Sequence, residues 1–196
     1  MTNASFHTIA FLFTGLILAL GYVSFGFWTA LIFTSGFLTG FILWMDTPFR
    51  PSFQRIRTPY WLALGFFAIH RVEEKVMGFF ARLAEITHVP TPEITSAPII
   101  ALVLLSVGGW LAVPILVRRR NPLGHYLAWT FFSAMGITEL AHFSFPFFTK
   151  EPYGYFPGMG SVIVLAPLGW WGMHCLSTPD RNPETVRAAA TTGTKH

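Results

Sequence analysis

The chain has 196 residues, of which 53% are hydrophobic and only 11% are charged, and its mean hydropathy is +0.52. Soluble domains carry about 25% charged residues, so this composition excludes an ordinary soluble protein and predicts an integral membrane protein. The formal net charge of +4 comes from basic residues beside apolar segments, which indicates contact with anionic membrane lipids and no binding of nucleic acid. The single cysteine, Cys175, excludes an internal disulfide framework and a cysteine-based zinc site.

Six segments reach or approach the length of a membrane span, which needs about 20 mostly apolar residues. They are residues 8–25, 27–45, 59–81, 98–117, 124–148 and 158–177. The sequence therefore predicts an all-α polytopic bundle of about six transmembrane helices in one domain, residues 1–177, followed by a disordered cytoplasmic tail, residues 178–196. The first two helices should form an antiparallel hairpin because the turn at residues 21–26 is short, and Gly36 and Gly40 offer a small-residue packing face.

The third segment is the least regular, because charged residues follow its apolar part at residues 60–69. If it spans the membrane, nine arginines and lysines lie on the side of both termini and only Arg82 and Lys150 lie on the other. If it lies on the surface as two helices, this bias nearly disappears. The positive-inside rule therefore favours six spans with both termini in the cytoplasm, and residues 82–97 and 149–157 become outer loops.

Five ionisable side chains interrupt the third predicted helix, in the run from His70 to Lys75. Such groups cost about 2.5–3.5 kcal/mol each at the centre of a spanning helix, so they persist where a partner compensates them or a function uses them. Residues three and four apart share a helix face, so His70, Glu73 and Glu74 project within an arc of about 100°.

The fifth predicted helix carries a second pair, Glu139 and His142, again three residues apart. Both helices start on the cytoplasmic side, so at about 1.5 Å per residue the three carboxylates lie about 21–22 Å in, His70 about 16 Å and His142 about 27 Å. These depths predict that the carboxylates and imidazoles meet in a shared pocket within the bilayer. They also predict that a single ion does not easily reach both histidines.

Carboxylates and imidazoles at one depth suit two kinds of chemistry. They bind zinc, iron or manganese in helical bundles, where Glu-x-x-His is the spacing of di-iron and di-manganese sites. Here one helix has the reverse order, and two further helical glutamates are lacking. Without a metal, the same groups act as a buried acid and base that exchange a proton with a substrate. A purely structural interpretation also exists, in which Arg71 and Lys75 neutralise Glu74 and the pair on the fifth helix is an interhelical hydrogen bond.

Over residues 59–175 the chain resembles the HXXEE domain proteins, a family of small prokaryotic multi-helix membrane proteins. The residues that carry the resemblance are His70-Arg71-Val72-Glu73-Glu74 and, later, His142 with Tyr155-Phe156-Pro157-Gly158. This chain has Thr138 and Glu139 in the region where the family has an asparagine. The resemblance implies a bacterial inner-membrane location and an important motif, and it names no reaction.

These observations predict an integral membrane enzyme that acts on a lipophilic small molecule in the outer half of the bilayer. The predicted catalytic and metal-binding residues are His70, Glu73, Glu74, Glu139 and His142. Arg71 and Tyr155 are the predicted substrate-binding residues, with Arg71 orienting an anionic group, and Pro157 is expected in the first turn of the last helix. The alternative is a proton- or cation-coupled transporter subunit, in which the same groups form a relay across the membrane. A non-catalytic partner protein is the third interpretation.

Overall fold

The computed structural model describes residues 3–91 and 93–179, and within them the chain is all-helical. Its α-helices are α1 (Asn3–Asp46), α2 (Phe53–Val76), α3 (Phe79–Thr87), α4 (Ala97–Arg118), α5 (Pro122–Gly136), α6 (Ala141–Ser144) and α7 (Met159–Leu176). Two 3₁₀ turns, Thr138–Leu140 and Phe145–Phe148, flank α6. The predicted all-α fold is confirmed. The predicted disordered tail lies outside the described residues, except for residues 178 and 179.

Four helical stretches are long and apolar enough to cross a membrane. They are Ala4–Phe27 and Thr29–Asp46 within α1, together with α4 and α7. The sequence predicted about six such helices. The two predicted spans that do not meet this criterion are residues 59–81 and 124–148. Charged residues make the first of these less apolar, and regular helix in the second ends at Gly136.

The helix α1 is a hairpin of two antiparallel arms that reverses at Gly26. This residue has φ 71° and ψ 177°, a conformation that is essentially restricted to glycine. The rings of His7 and Trp44, near opposite ends of α1, lie 5.1 Å apart and edge to face. The predicted pairing of the first two helices is therefore confirmed.

The helix α5 lies at the centre of the bundle, because all its residues after the first two are buried. Glycines let the second arm of α1 approach it closely. A Cβ on Gly40 would lie 2.4 Å from the Cα of Thr130, and one on Gly36 would lie 2.5 Å from the Cα of Ala134. The predicted small-residue face of α1 is thus its contact with α5.

The third predicted helix is shifted along the chain and is shorter than expected. The helix α2 begins at Phe53, six residues before the predicted start, and ends at Val76 instead of residue 81. It continues through Pro59, which membrane helices tolerate. Gly78, with φ 72°, turns the chain into α3, which occupies part of the predicted loop at residues 82–97.

The helices α2 and α7 pack antiparallel along their length. At the start of α2, the Arg55 guanidinium donates to the carbonyl of Cys175, 3.2 Å away, near the end of α7. At the other end, the carboxylate of Glu73 accepts from the backbone N–H of Ser161, 2.8 Å away, in the first turn of α7. We call this second end of the bundle the site end, because the functional residues predicted from the sequence lie there.

Candidate metal centre

The helix α2 brings His70 and Glu74 together on its buried face. They are 0% and 4% exposed. Residues four apart on a helix lie one above the other, and accordingly Nε2 of His70 lies 3.4 Å from Oε1 of Glu74.

The second pair comes from the irregular segment that follows α5. The carbonyl of Gly136, at the end of α5, accepts a hydrogen bond from the Trp170 indole, 2.6 Å away, and the chain then tightens into a 3₁₀ turn. Glu139 lies on this turn and His142 on α6, and both are buried. Nε2 of His142 lies 3.3 Å from Oε2 of Glu139. The predicted continuous helix over residues 124–148 is therefore wrong, although the predicted pair does form.

The two pairs face each other, so that four potential ligand atoms converge. Nε2 of His70 lies 3.1 Å from Oε2 of Glu139, and Nε2 of His142 lies 3.4 Å from Oε1 of Glu74. All four atoms lie within 4.8 Å of one another. Metal–ligand bonds of about 2.0–2.2 Å place the ligands of a tetrahedral ion about 3.3–3.6 Å apart. Four of the six separations among these atoms, at 3.1–3.4 Å, are close to this value, and the remaining two lie within 4.8 Å, so the four groups can surround a single ion in a site more open than a regular tetrahedron.

The prediction that one ion does not easily reach both histidines is wrong. It placed the start of α2 at residue 59, whereas α2 begins at Phe53. Six further residues at about 1.5 Å each move His70 about 9 Å deeper. This shift removes much of the predicted difference in depth between His70 and His142.

The second ring nitrogen of His142 is held by a backbone carbonyl. Nδ1 of His142 lies 2.6 Å from the oxygen of Pro157. A carbonyl only accepts hydrogen bonds, so Nδ1 carries the proton. In the neutral imidazole, Nε2 then has a lone pair next to the carboxylate oxygens of Glu74 and Glu139.

His70 has the same tautomer, for a related reason. Its Nδ1 lies 2.8 Å from Oγ of Ser161. That hydroxyl also contacts the carboxylate of Glu73 and the carbonyl of Gly158, which both accept. The hydroxyl proton goes to one of these, so Oγ accepts from Nδ1 of His70 and leaves Nε2 as a lone pair. Histidine ligands of metals are oriented in this way by a hydrogen bond at the second nitrogen.

The centre of the cluster lacks a hydrogen-bond donor when both imidazoles are neutral. Oε1 of Glu74 is buried and has no hydrogen-bond partner within the described part of the chain. Two lone pairs and two carboxylate oxygens then face one another. Burying such acceptors unpaired is unfavourable, so the arrangement requires a cation at its centre, either a metal ion or a proton.

Arg71 holds the outer oxygens of the two carboxylates. Its NH1 lies 2.8 Å from Oε2 of Glu74 and its NH2 lies 2.9 Å from Oε1 of Glu139. The guanidinium thereby fixes both carboxylates with their other oxygens beside the histidines. Together with Glu73, the site has three carboxylates and one guanidinium, so with neutral imidazoles a divalent ion balances its charge.

Glu73 faces α7 and is not one of the four converging groups. Its carboxylate accepts from the backbone N–H groups of Gly160, at 3.1 Å, and Ser161, at 2.8 Å. It also accepts from the hydroxyls of Ser161 and Tyr155. The positive end of the α7 dipole favours a carboxylate here. The sequence placed Glu73 on the same helix face as His70 and Glu74. In the structure, its contacts with α7 draw its carboxylate away from the other two side chains.

Tyr155 connects this network to the surface. The residue is 54% exposed, and its hydroxyl donates to Glu73. Burial, and the adjacent Glu73 carboxylate, raise the pKa of Tyr155, so the phenol remains a donor at neutral pH. Hydrogen bonds thus run from Tyr155 through Glu73 and Ser161 to His70.

Gly158 lies directly against both imidazoles. Its φ is 97°, and a Cβ there would lie 2.4 Å from Cε1 of His142 and 2.8 Å from Cε1 of His70. Pro157 precedes α7, which begins at Met159, so the predicted position of this proline in the first helical turn is wrong. Its carbonyl instead orients His142. Sequence reasoning missed Ser161 altogether, because serine near a helix start is too common to be a signal.

An apolar cavity of about 320 Å³ reaches the cluster from one side. Arg71 and Glu139 are among its lining residues, and the walls are mainly aromatic and aliphatic, as at Phe67 and Trp110. The site is therefore a buried His/Glu centre with an apolar chamber beside it. Comparisons with protein-family models, curated proteins and solved structures find no match to the chain.

Proposed function

We propose that the protein is an integral membrane enzyme with a mononuclear metal centre and that it acts on a lipophilic small molecule. The metal ligands are His70, Glu74, Glu139 and His142. The observation that carries the proposal is the convergence of two imidazole nitrogens and two carboxylate oxygens, all buried and all within 4.8 Å of one another. Zinc, iron and manganese all accept imidazole and carboxylate donors.

The roles of the surrounding residues follow from their contacts. A bound metal ion supplies a Lewis acid that polarises a carbonyl or activates water. Arg71 positions the two ligand carboxylates. The chain from His70 through Ser161 and Glu73 ends at the exposed Tyr155 and offers a route for protons between the centre and the surface.

We propose six membrane crossings, with α2 and residues 122–148 added to the four apolar stretches. The support is that α5 is enclosed by other helices and that α2 packs on α7 from end to end. The charge bias then places both termini in the cytoplasm and the site end in the outer half of the bilayer. From residues 70–74 we also propose that the chain is an HXXEE domain protein of the bacterial inner membrane.

An enzyme is preferred to a proton- or cation-coupled transporter subunit because the hydrogen-bonded chain from His70 through Ser161 and Glu73 leads toward the site end. Within the described residues, the buried face of α2 is apolar from Phe53 to Ala63 except for the hydroxyl of Tyr60. That hydroxyl donates to the carbonyl of Trp110, 2.8 Å away, and does not continue toward the cluster. A transport path requires polar groups toward both surfaces.

Elemental analysis of detergent-purified protein tests the metal centre. We expect one metal ion per chain in the wild type, none in His142→Ala, and an unchanged content in His174→Ala, which alters an exposed histidine on α7. A folded wild-type protein without metal, or a His142→Ala variant with full metal content, contradicts the proposal and favours acid–base or purely structural roles. In proteoliposomes, a metal or proton flux that His142→Ala abolishes would favour the transporter.

A further inference from the structure

We propose that the substrate of this centre is an uncharged single-chain lipophile with one hydrogen-bond-accepting oxygen, such as a long-chain alcohol, ketone or ester. It reaches the apolar cavity from the bilayer beside α4, and Arg71 binds its oxygen. This inference rests on the proposed function and adds the binding chamber, the direction of access and the chemical class of the ligand.

The size and walls of the cavity set the apolar part of the ligand. Its volume of about 320 Å³ lies at the lower end of the range of about 300–1,000 Å³ for small-molecule sites. The chamber therefore suits one chain and not a two-chain lipid. Its inner wall includes the buried side chains of Phe37, Ile99 and Trp110, which present apolar and aromatic surface to the chamber. The one polar group among these three side chains, the indole N–H of Trp110, already has a partner. That N–H donates to the hydroxyl of Thr130, 3.2 Å away.

The rim of the cavity indicates lateral access from lipid. Val103, on α4, and Ile94, in the turn before α4, both line the cavity and are 50% and 69% exposed. The helix α4 is one of the stretches apolar enough to cross a membrane. A membrane protein exposes such a helix to acyl chains, so an apolar molecule can enter the cavity past Val103 from the hydrocarbon without passage through water.

Arg71 defines the polar part of the ligand. A guanidinium has five N–H donors, and the two carboxylates engage NH1 and NH2. Its Nε is buried without a hydrogen-bond partner within the described residues, and the group lies over the ring of Phe67, 5.0 Å from the centroid. Nε is too buried to face the chamber, but NH1 and NH2 each have a second N–H, and the side chain is 36% exposed and lines the cavity. The guanidinium thus has donors left for a ligand while its charge is already matched by Glu74 and Glu139. A neutral acceptor uses these donors, whereas a third carboxylate would be repelled by the two already present.

Photolabelling of the purified full-length protein in lipid nanodiscs tests the proposal. The probe is hexadecanol with a diazirine in its chain, and the competitors are hexadecanol, palmitate and hexadecane. We expect the label on residues 94–110, with hexadecanol competing about tenfold better than hexadecane or palmitate, as one hydrogen bond to a charged donor implies. Equal competition by hexadecane or palmitate would overturn the assignment of an uncharged acceptor.

Two matched variants on α4 test the chamber itself. Ser106 lines the cavity, so Ser106→Phe fills it and should abolish labelling of residues 94–110. Leu104, which is 68% exposed and does not line the cavity, provides the control Leu104→Phe, which should label as the wild type does. Undiminished labelling in Ser106→Phe, or a label spread over lipid-facing residues, would overturn the proposal.

The metal content of the same samples separates this inference from the proposed function. Both α4 variants should keep their metal, because neither contacts the four ligands. Metal without cavity labelling would overturn the ligand assignment alone. Cavity labelling in a wild-type chain that binds no metal would overturn the metal-dependent function and leave the assignment of the chamber intact.

Discussion

At Gly158 the main chain fills the space that any side chain would need beside the two imidazoles. The residue therefore couples the backbone before α7 to the geometry of the centre. Its neighbour Pro157 sets the tautomer of His142 through its carbonyl, so the position of the backbone here determines which ring nitrogen carries the proton.

We predict that Gly158→Ala weakens both stability and metal binding. A left-handed conformation costs a non-glycine residue about 1–2 kcal/mol, and the new Cβ would lie 2.4 Å from the His142 ring. The melting temperature should fall and the metal dissociation constant should rise about tenfold or more, equivalent to about 1.4 kcal/mol. Gly154→Ala is the control, since its Cβ meets only the Pro152 oxygen at 3.6 Å. Wild-type values for Gly158→Ala would contradict this account of the site.

Helical spacing was enough to single out the four residues that converge, but not to orient them. His70 with Glu74, and Glu139 with His142, were recognisable because ionisable pairs at one helical turn are unusual in apolar segments. The different roles of Glu73 and Glu74 were not predictable, because α7 alone decides which carboxylate caps a helix and which meets the histidines. The role of the Pro157 carbonyl was not predictable either, because every residue has a backbone carbonyl and the sequence does not show which one contacts a side chain.

Among the elements, the end of α5 shows the limit of reading helices from hydropathy. Residues 124–148 are apolar enough to predict one continuous helix, yet the carbonyl of Gly136 bonds to Trp170 on α7 instead of continuing the helical ladder. This tertiary contact lies 34 residues away in sequence. The start of α2 was misplaced because the span was drawn from its apolar residues, whereas the helix begins earlier, in the partly charged stretch from Phe53 to Thr58.

The contact between α1 and α5 yields a prediction on stability. Gly40→Val would force a branched side chain against the backbone of Thr130, where a Cβ already has only 2.4 Å. Overpacking of this kind costs about 1–3 kcal/mol, so thermal unfolding in detergent should occur at a clearly lower temperature. Gly15→Val, on the first arm of α1 with nothing within 4 Å of its Cβ, should unfold near the wild-type temperature. Equal stability of the two variants would show that this helix contact is not close-packed.

At the scale of the whole molecule, six of the ten arginines and lysines that the structure describes lie at the end opposite the site end, among them Arg55 and Arg118–Arg120. This distribution, together with the single cysteine, makes the proposed orientation directly measurable. The all-helical class and the hairpin of α1 followed from composition and from short turns. The arrangement of the helices around α5 could not be predicted in this way, because it depends on contacts between particular glycines and the backbone of another helix, such as Gly40 of α1 against Thr130 of α5.

We predict opposite accessibility for the two ends in intact cells. In a Cys175→Ser background, a Glu85→Cys variant should react with a membrane-impermeant maleimide from outside. An Arg119→Cys variant should react only after the membrane is permeabilised. Both positions are exposed, so labelling reports the side of the membrane. Reaction of both from outside, or the reverse pattern, would contradict six crossings with cytoplasmic termini.

The most direct measurement compares the metal content of Glu73→Gln and Glu74→Gln. These adjacent carboxylates differ in one respect that matters here: Glu74 lies 3.4 Å from both imidazole Nε2 atoms, whereas Glu73 caps α7. The account predicts that Glu74→Gln loses its metal while Glu73→Gln, though less stable, retains one ion per chain. Retention of the metal by Glu74→Gln, or its loss from a folded Glu73→Gln variant alone, would contradict the four-ligand centre.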